Sequence, residues 1–303
     1  MTTPADPLFD WNTLARRRDR AMRKGFRGRG DFLYRQIAEG LRERLEDVTR
    51  SFAKVALIGG AQPLIDMLRA TTHPQVIDIW DVSPAMAKAC NGTALTSETL
   101  PLTPGHYDLA ISCLAMHWAN DPVGHLVQLR RALKPDGLMI AALFGGQTLT
   151  ELRSALAEAE VALTGGLSPR IAPMGEIRDL GSLLQRATLA MPVADSERLT
   201  VTYASPRALM HDLRLMGETN VLSARGGPMT RALLARSEEI YRAHFPAEKG
   251  RIRATFEIVY LTGWSPGPGQ PVPLRPGSAT TRLADALGTV EQDPRPGHEP
   301  GDT

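Results

Sequence analysis

The chain has 303 residues, enough for one large domain or a domain with an elaborate insertion, and its 35 basic and 33 acidic side chains leave a formal charge of +2. So small a charge does not call for nucleic acid as a partner, and no apolar run approaches the roughly 18 residues of a membrane span. Cys90 and Cys113 are the only cysteines, which excludes a disulfide framework or a cysteine-rich metal site and suits a reducing, cytoplasmic setting.

The N-terminus shows no apolar signal core, and Asp6 and Asp10 do not suit an acid-poor transit peptide. From Arg16 to Arg29 eight basic side chains stand against the single acid Asp19. Two readings stay open for this stretch. One is a solvated helix followed by a bend at Gly25, Gly28 and Gly30; the other is an arm that docks on an acidic protein surface or touches a membrane peripherally. Next, Phe32, Leu33, Ile37, Leu41, Leu45 and Val48 recur at three or four residues, so the spacing predicts an amphipathic helix over 31–48 that covers one side of a sheet.

Lys54–Ile58 reads as the first strand and Gly59-Gly60-Ala61-Gln62-Pro63 as the turn into a helix near Leu64–Arg69. Glycines in such a turn let a ligand approach the backbone, and the helix start offers free N–H groups. Gln75–Trp80 reads as the second strand, with Asp81 just past it. Roughly twenty residues from a glycine turn is the usual distance to the carboxylate that takes both hydroxyls of a ribose. An ordinary tight turn and a capping Asp before Ser83-Pro84 explain the same residues. A short strand near Thr93–Leu95 leads into the polar loop Ser97–Leu102.

The densest stretch is Tyr107–Gly146. Tyr107–Ser112 predicts a buried strand, Leu114–Asn120 its exposed mouth, and Asp121-Pro122 a capped helix start. That helix runs to about Leu133. Lys134–Gly137 is expected to break it, and Leu138–Phe144 to form the next strand. A strand, crossover helix and strand in succession imply parallel pairing, with ligands at the carboxyl ends. His117 and Trp118 at the mouth could shuttle a proton or line a ligand, or be a hydrogen-bonded histidine and a packed indole. Neither His106 nor His125 completes a metal set with His117.

In the second half, Thr148–Glu151 has the form of a capping box opening a helix to about Leu163. A further helix over 177–184, a strand over 198–203 and two helices over 206–216 and 230–244 precede a returning strand over 254–261. The helix pair is expected to roof the strand ends, where Glu218, Asp212 and Glu257 could receive an arginine through paired hydrogen bonds. The resulting domain scheme is a basic helical segment (1–50), a core (51–204), a helical lid (205–250), a final strand (251–265) and a Pro/Gly-rich tail (266–303), disordered beyond Gln292.

Together these pieces resemble a class I S-adenosylmethionine-dependent methyltransferase: an α/β, Rossmann-like, mostly parallel seven-stranded sheet with N-terminal helices and a helical insertion before the last strand. Asp81–Met86, Leu100-Pro101-Leu102 and Leu133–Leu138 carry that resemblance. The linked set of Leu114–Asp121, Phe144–Leu149, Glu151–Arg153, Met216–Asn220, Thr262–Trp264 and Arg275–Ala279 is similar to the assembly factor 5 family of respiratory complex I.

The resemblance implies hydroxylation of an arginine on the complex I subunit near the quinone site. It implies S-adenosylmethionine contacts at Gly59, Gly60, Ala61, Asp81, Val82, Ser97, Glu98, Ser112, Leu114 and His117, and substrate contacts at Trp118, Asn120, Glu218 and Asn220; His117 is the candidate catalytic residue. Leu57 stands where the family pattern has an acid, Ala61 and Pro63 where it has glycines, and Thr96 where it has an aspartate, which implies weakened cofactor binding. A conventional methyltransferase acting on a small molecule or acyl carrier and a non-catalytic assembly module are the other readings.

Overall fold

A computed structural model describes residues 6–271 and 282–289. The helices and strands run in the order α1 Trp11–Lys24, α2 Phe32–Glu46, β1 Lys54–Ile58, α3 Gln62–Thr71, β2 Val76–Asp81, α4 Pro84–Ala89, β3 Thr93–Ala94, β4 Tyr107–Cys113, α5 Pro122–Ala132, β5 Leu133–Phe144, α6 Thr150–Thr164, α7 Ile177–Arg186, β6 Ala190–Tyr203, α8 Pro206–Met216, α9 Arg231–His244, β7 Ile252–Trp264 and α10 Leu283–Leu287. Two compact units result, residues 1–268 and 269–303; the second contributes only α10 to the described helices and strands. The Arg275–Ala279 motif and the tail beyond Gln292 lie outside the described residues.

One seven-stranded sheet has the order β3-β2-β1-β4-β5-β7-β6, in which β7 alone runs against its neighbours. This is the expected class I arrangement. Alternation along β1 explains the layers: Val55 and Leu57 pack with α2 and α3 on one face, and Ala56 and Ile58 pack with α5 on the other. Because both faces are covered, the central strands read as continuous apolar runs. Truncating fully buried Leu57 to Ala would cost roughly 2–5 kcal/mol.

The strand order reverses between β1 and β4, and crevices outside such switch points bind ligands. Ile58 pairs with Trp80 on one side and Ser112 on the other, so Gly59, Asp81 and Cys113 emerge level on one rim, with Leu114 next after Cys113.

Four local expectations need correction. The first is β5, which begins at Leu133 rather than Leu138: Lys134–Gly137 forms its irregular start, with Asp136 in the left-handed region at φ +60°. No capping box opens α6 either. Leu149 is left-handed at φ +57°, the Thr148 hydroxyl donates to the Glu257 carbonyl (3.0 Å), and the Glu151 carboxylate accepts from Thr255 N–H (3.1 Å), so β7 takes the groups the helix start would have used. At the sheet edge, β6 starts eight residues early because β7 is long enough to pair with it throughout. Finally, α9 packs on α6, so of the two inserted helices only α8, with the segment after it, lies at the strand ends.

Candidate active site

At the rim the Gly59 N–H donates to the Trp80 carbonyl (2.8 Å), and its φ of +83° is one a side chain would resist. A Cβ there would also collide with the Cys113 carbonyl oxygen. Ala61 is the N-cap of α3 and Gly60 packs under Ile79. The glycine turn and Asp81 therefore converge as expected. What lies between them is not open space: Trp11, Leu14 and Arg18 of α1 are seated there with Val82, Glu98 and Leu100, leaving a cavity of about 20 Å³. That is room for about one water, far below the roughly 300–1,000 Å³ of ligand pockets. In this conformation the residues present do not fit S-adenosylmethionine.

Arg18 is the residue that closes the rim, and the solvated-helix reading of Arg16–Arg29 fails at this position. Asp10 caps α1 by accepting from Thr13 N–H (2.9 Å), and left-handed Gly25 ends it. Leu14, Arg18 and Ala21 recur at helical spacing as one buried stripe. The Arg18 side chain is 1% exposed. Its guanidinium donates to Glu218 Oε1 (2.8 Å), to Asp81 Oδ2 (3.5 Å) and to the Leu114 carbonyl. Leu114 itself is left-handed at φ +46°. Beside Arg18, Asp19 accepts from Ala85 N–H (3.0 Å) and from the Ser83 hydroxyl, fastening α1 to the start of α4.

Glu218 follows the left-handed Gly217 cap of α8, and its second oxygen accepts from His117 Nε2 (3.0 Å) and Trp118 Nε1 (2.7 Å). Burial opposes its charge, but Arg18, His117 and Trp118 win and hold its pKa down at about 2. Asp81 is fully buried, and burial pushes its pKa up to about 6 even though Arg18 and the Ser83 N–H (2.7 Å) favour the anion. One guanidinium shared by two carboxylates thus leaves the more distant one under-compensated. Burial disfavours the charge on Arg18, yet Tyr34, Glu218 and Asp81 together raise its pKa above the ordinary guanidinium value. Burial also lowers the pKa of His117, whose Nδ1 has no hydrogen-bond partner.

The family described as a methyltransferase domain matches residues 59–141. Along most of its length the chain is 32% identical to the mitochondrial arginine-hydroxylase NDUFAF5 of Danio rerio, over 94% of this chain and 92% of that one. The chain belongs to the NDUFAF5 family. It is also 32% identical to a malonyl-[acyl-carrier protein] O-methyltransferase of Halorhodospira halophila, over 86% of this chain and 87% of the relative. Among solved structures it resembles the YcgJ protein of Bacillus subtilis in fold, with a TM-score of 0.51 at 14% identity, covering 76% of this chain and 99% of that one. It is an enzyme of the methyltransferase superfamily.

Within this family member the other expected site residues divide. Glu98 lines the small cavity, but its carboxylate is engaged by Asn120 N–H (3.0 Å). Asn120 also accepts from Phe9 N–H (2.8 Å), so it ties the N-terminal segment to the mouth and does not face a substrate chamber. Ser97 is exposed, accepts from Thr99 N–H (3.2 Å), and stands outside the cavity lining. Ser112 is buried against His125 Nε2 (2.9 Å), and burial lowers the His125 pKa to about 4.

Phe144, Trp118, Glu218 and Asn220 border a second, wide cavity of about 710 Å³ between α1, α6 and α8. Asn220 donates to the Pro169 carbonyl (2.8 Å) and accepts from Leu222 N–H (2.9 Å). The expected acid trio does not assemble. Glu257 is turned to Gln147 N–H (2.9 Å), Asp212 lies near His211 and Arg29, and only Glu218 reaches the cavity. Among the described residues no group of three His, Cys, Asp or Glu is placed to hold a metal, and no helix is long and apolar enough to cross a membrane.

Proposed function

We propose that this protein modifies an arginine side chain of a protein partner, by hydroxylation in which dioxygen gives one atom to the arginine and the other leaves as water on two electrons from an external reductant, as a step in assembling respiratory complex I, with the subunit beside the quinone site as substrate. One observation carries this reading: a buried receptor for a guanidinium, made of Glu218, Asp81 and the Leu114 carbonyl, now holding the chain's own Arg18. The name of the NDUFAF5 relatives supports it from outside the geometry. His117 and Trp118 fix Glu218 through one oxygen and leave Oε1 to the guanidinium, so the acceptor is oriented, and beside Arg18 its pKa is held down at about 2. Nδ1 of His117, on the ring bonded to Glu218, has no hydrogen-bond partner and is the candidate atom for handling a proton.

S-adenosylmethionine remains the proposed ligand of Gly59 and Asp81, which supply the turn and the carboxylate it requires. Arg18, Leu14 and Trp11 must yield before it enters. With Arg18 withdrawn, Asp81 is left for ribose hydroxyls and Glu218 for the incoming arginine. Buried, unpaired Cys90 and Cys113 agree with a reducing cytoplasmic compartment.

Methyl transfer to an acyl carrier is the second reading, favoured by the equal identity to the malonyl-carrier enzyme. Mass spectrometry of the candidate subunit and of carrier-bound acyl groups from normal and gene-deleted cells separates them. One added oxygen on a subunit arginine, lost on deletion, is the expected result; an unchanged subunit contradicts it, and a carrier-bound acyl group that lacks one methyl in the deleted cells supports the second reading.

A further inference from the structure

Basic and acidic residues nearly cancel over the whole chain, yet they do not cancel around the wide cavity. Six cations line it: Arg17, Arg20, Lys24, Arg170, Arg214 and Arg225. The single acid in the lining is Glu218, which is buried and already engaged by Arg18. Arg170 is neutralised by Glu160 (2.6 Å) and Arg225 is near Asp10 (3.4 Å). Arg17 bonds only neutral oxygens, those of Thr219 (2.8 Å) and Asn220, and burial lowers its pKa, with Arg225 adding repulsion. Arg20, Lys24 and Arg214 are exposed and have no carboxylate partner among the described residues. Under these cations the floor is apolar, built from Phe144, Leu152, Leu156 and Phe256.

Like charges gathered around one concavity cost free energy unless an anion joins them, and an unfilled apolar floor favours an apolar occupant. The cations come from four separate segments: α1, the turn at Pro169–Arg170, α8 and the stretch around Arg225. A single anionic head could not reach them all, whereas carboxylates spaced along an extended chain could. Glu218 at the inner wall accepts one guanidinium.

We propose that this cavity is the docking site for a partner segment in which the target arginine is flanked by acidic residues and at least one large apolar side chain. The inference rests on the reading that the substrate is a protein arginine, but its test needs no turnover. Short fluorescent peptides are titrated onto the full chain by anisotropy: one with the arginine flanked by Asp, Glu and Leu, one with the acids changed to amides, and one with the Leu changed to Ser. Arg20→Glu/Lys24→Glu/Arg214→Glu serves as the cavity variant, with its circular-dichroism melt checked against the parent, since all three side chains are exposed.

The acidic peptide should bind, weaken roughly tenfold or more in the triple variant and with added salt, and lose affinity on either peptide change. Equal binding of the amide peptide, or indifference to the triple reversal, overturns the proposal. So does tighter binding to phosphatidylglycerol vesicles than to the peptide, which would make the cationic rim a lipid-facing surface. The subunit mass test reads the other claim separately. A mass shift without peptide binding removes only the acidic-segment proposal, and peptide binding without a mass shift upholds the cavity while removing the modification.

Discussion

The two hollows at this end of the sheet share Glu218's neighbourhood and differ in how their charges are met. In the small one, between Gly59 and Asp81, one arginine faces two carboxylates and fills the space; in the wide one, six cations surround an apolar floor with one acid already spent. Burial decides the contrast. A guanidinium removed from water must have anions beside it, and Arg18 has two, whereas Arg20, Lys24 and Arg214 keep their heads in solvent. Paired charges therefore mark where the chain closes its own rim, whereas the exposed cations of the wide hollow stay at its solvent edge.

Removing the central cation breaks that contrast most severely. Arg18→Met leaves two buried carboxylates without their cation and should cost roughly 3–5 kcal/mol in urea unfolding. Combining it with Glu218→Gln should return part of that loss, as a coupling of roughly 1–3 kcal/mol in a double-mutant cycle. If Arg18→Met unfolds like its parent, the buried pairing is wrong. A Gly59→Ala exchange tests the rim backbone instead. It forces a side chain into a left-handed conformation against the Cys113 carbonyl, and a loss of roughly 1–3 kcal/mol is expected.

Acidity separates the two carboxylates. The raised pKa of Asp81 contributes stability that is complete below the ordinary aspartate value and is lost as pH rises through about 6. Glu218 does the opposite: its contribution is complete above the ordinary value near 4.5 and is lost as pH falls toward about 2. Relative to Asp81→Asn, the parent should therefore lose stability as pH climbs from about 4 to above 6, measured by thermal melts across that range. A flat difference would mean that Asp81 is not held among under-compensating neighbours. The smallest effect belongs to the wide cavity. Exposed Arg214→Glu should shift stability by no more than about 0.5 kcal/mol, which would confirm that its charge is spare.

The sheet was legible because its central strands are buried on both faces and punctuated by turns. Lys54–Ile58 is found as read, and Tyr107–Cys113 is found one residue longer. Gly59 and Asp81 were legible through their spacing. Arg18 was not, because a charge in a basic run reads as solvated. The signal that could have found it is positional: four residues after Leu14 and three before Ala21, it falls on the apolar stripe of its helix. Its partner Glu218 is two hundred residues away, a distance no periodicity reports. Thr148–Glu151 misled for the same reason. A local capping pattern was outbid by β7, whose Thr255 and Glu257 take both side chains.

Amide hydrogen exchange on the unaltered protein, with and without saturating S-adenosylmethionine, addresses the self-closed rim most directly. If Arg18 and its helix stand in the ligand's place, addition of the ligand should strip protection from the α1 amides over 14–24 while protecting the turn after Ile58. Saturation with α1 protection unchanged would show that the ligand binds somewhere other than the rim between Gly59 and Asp81, and the account built on Arg18 would fall.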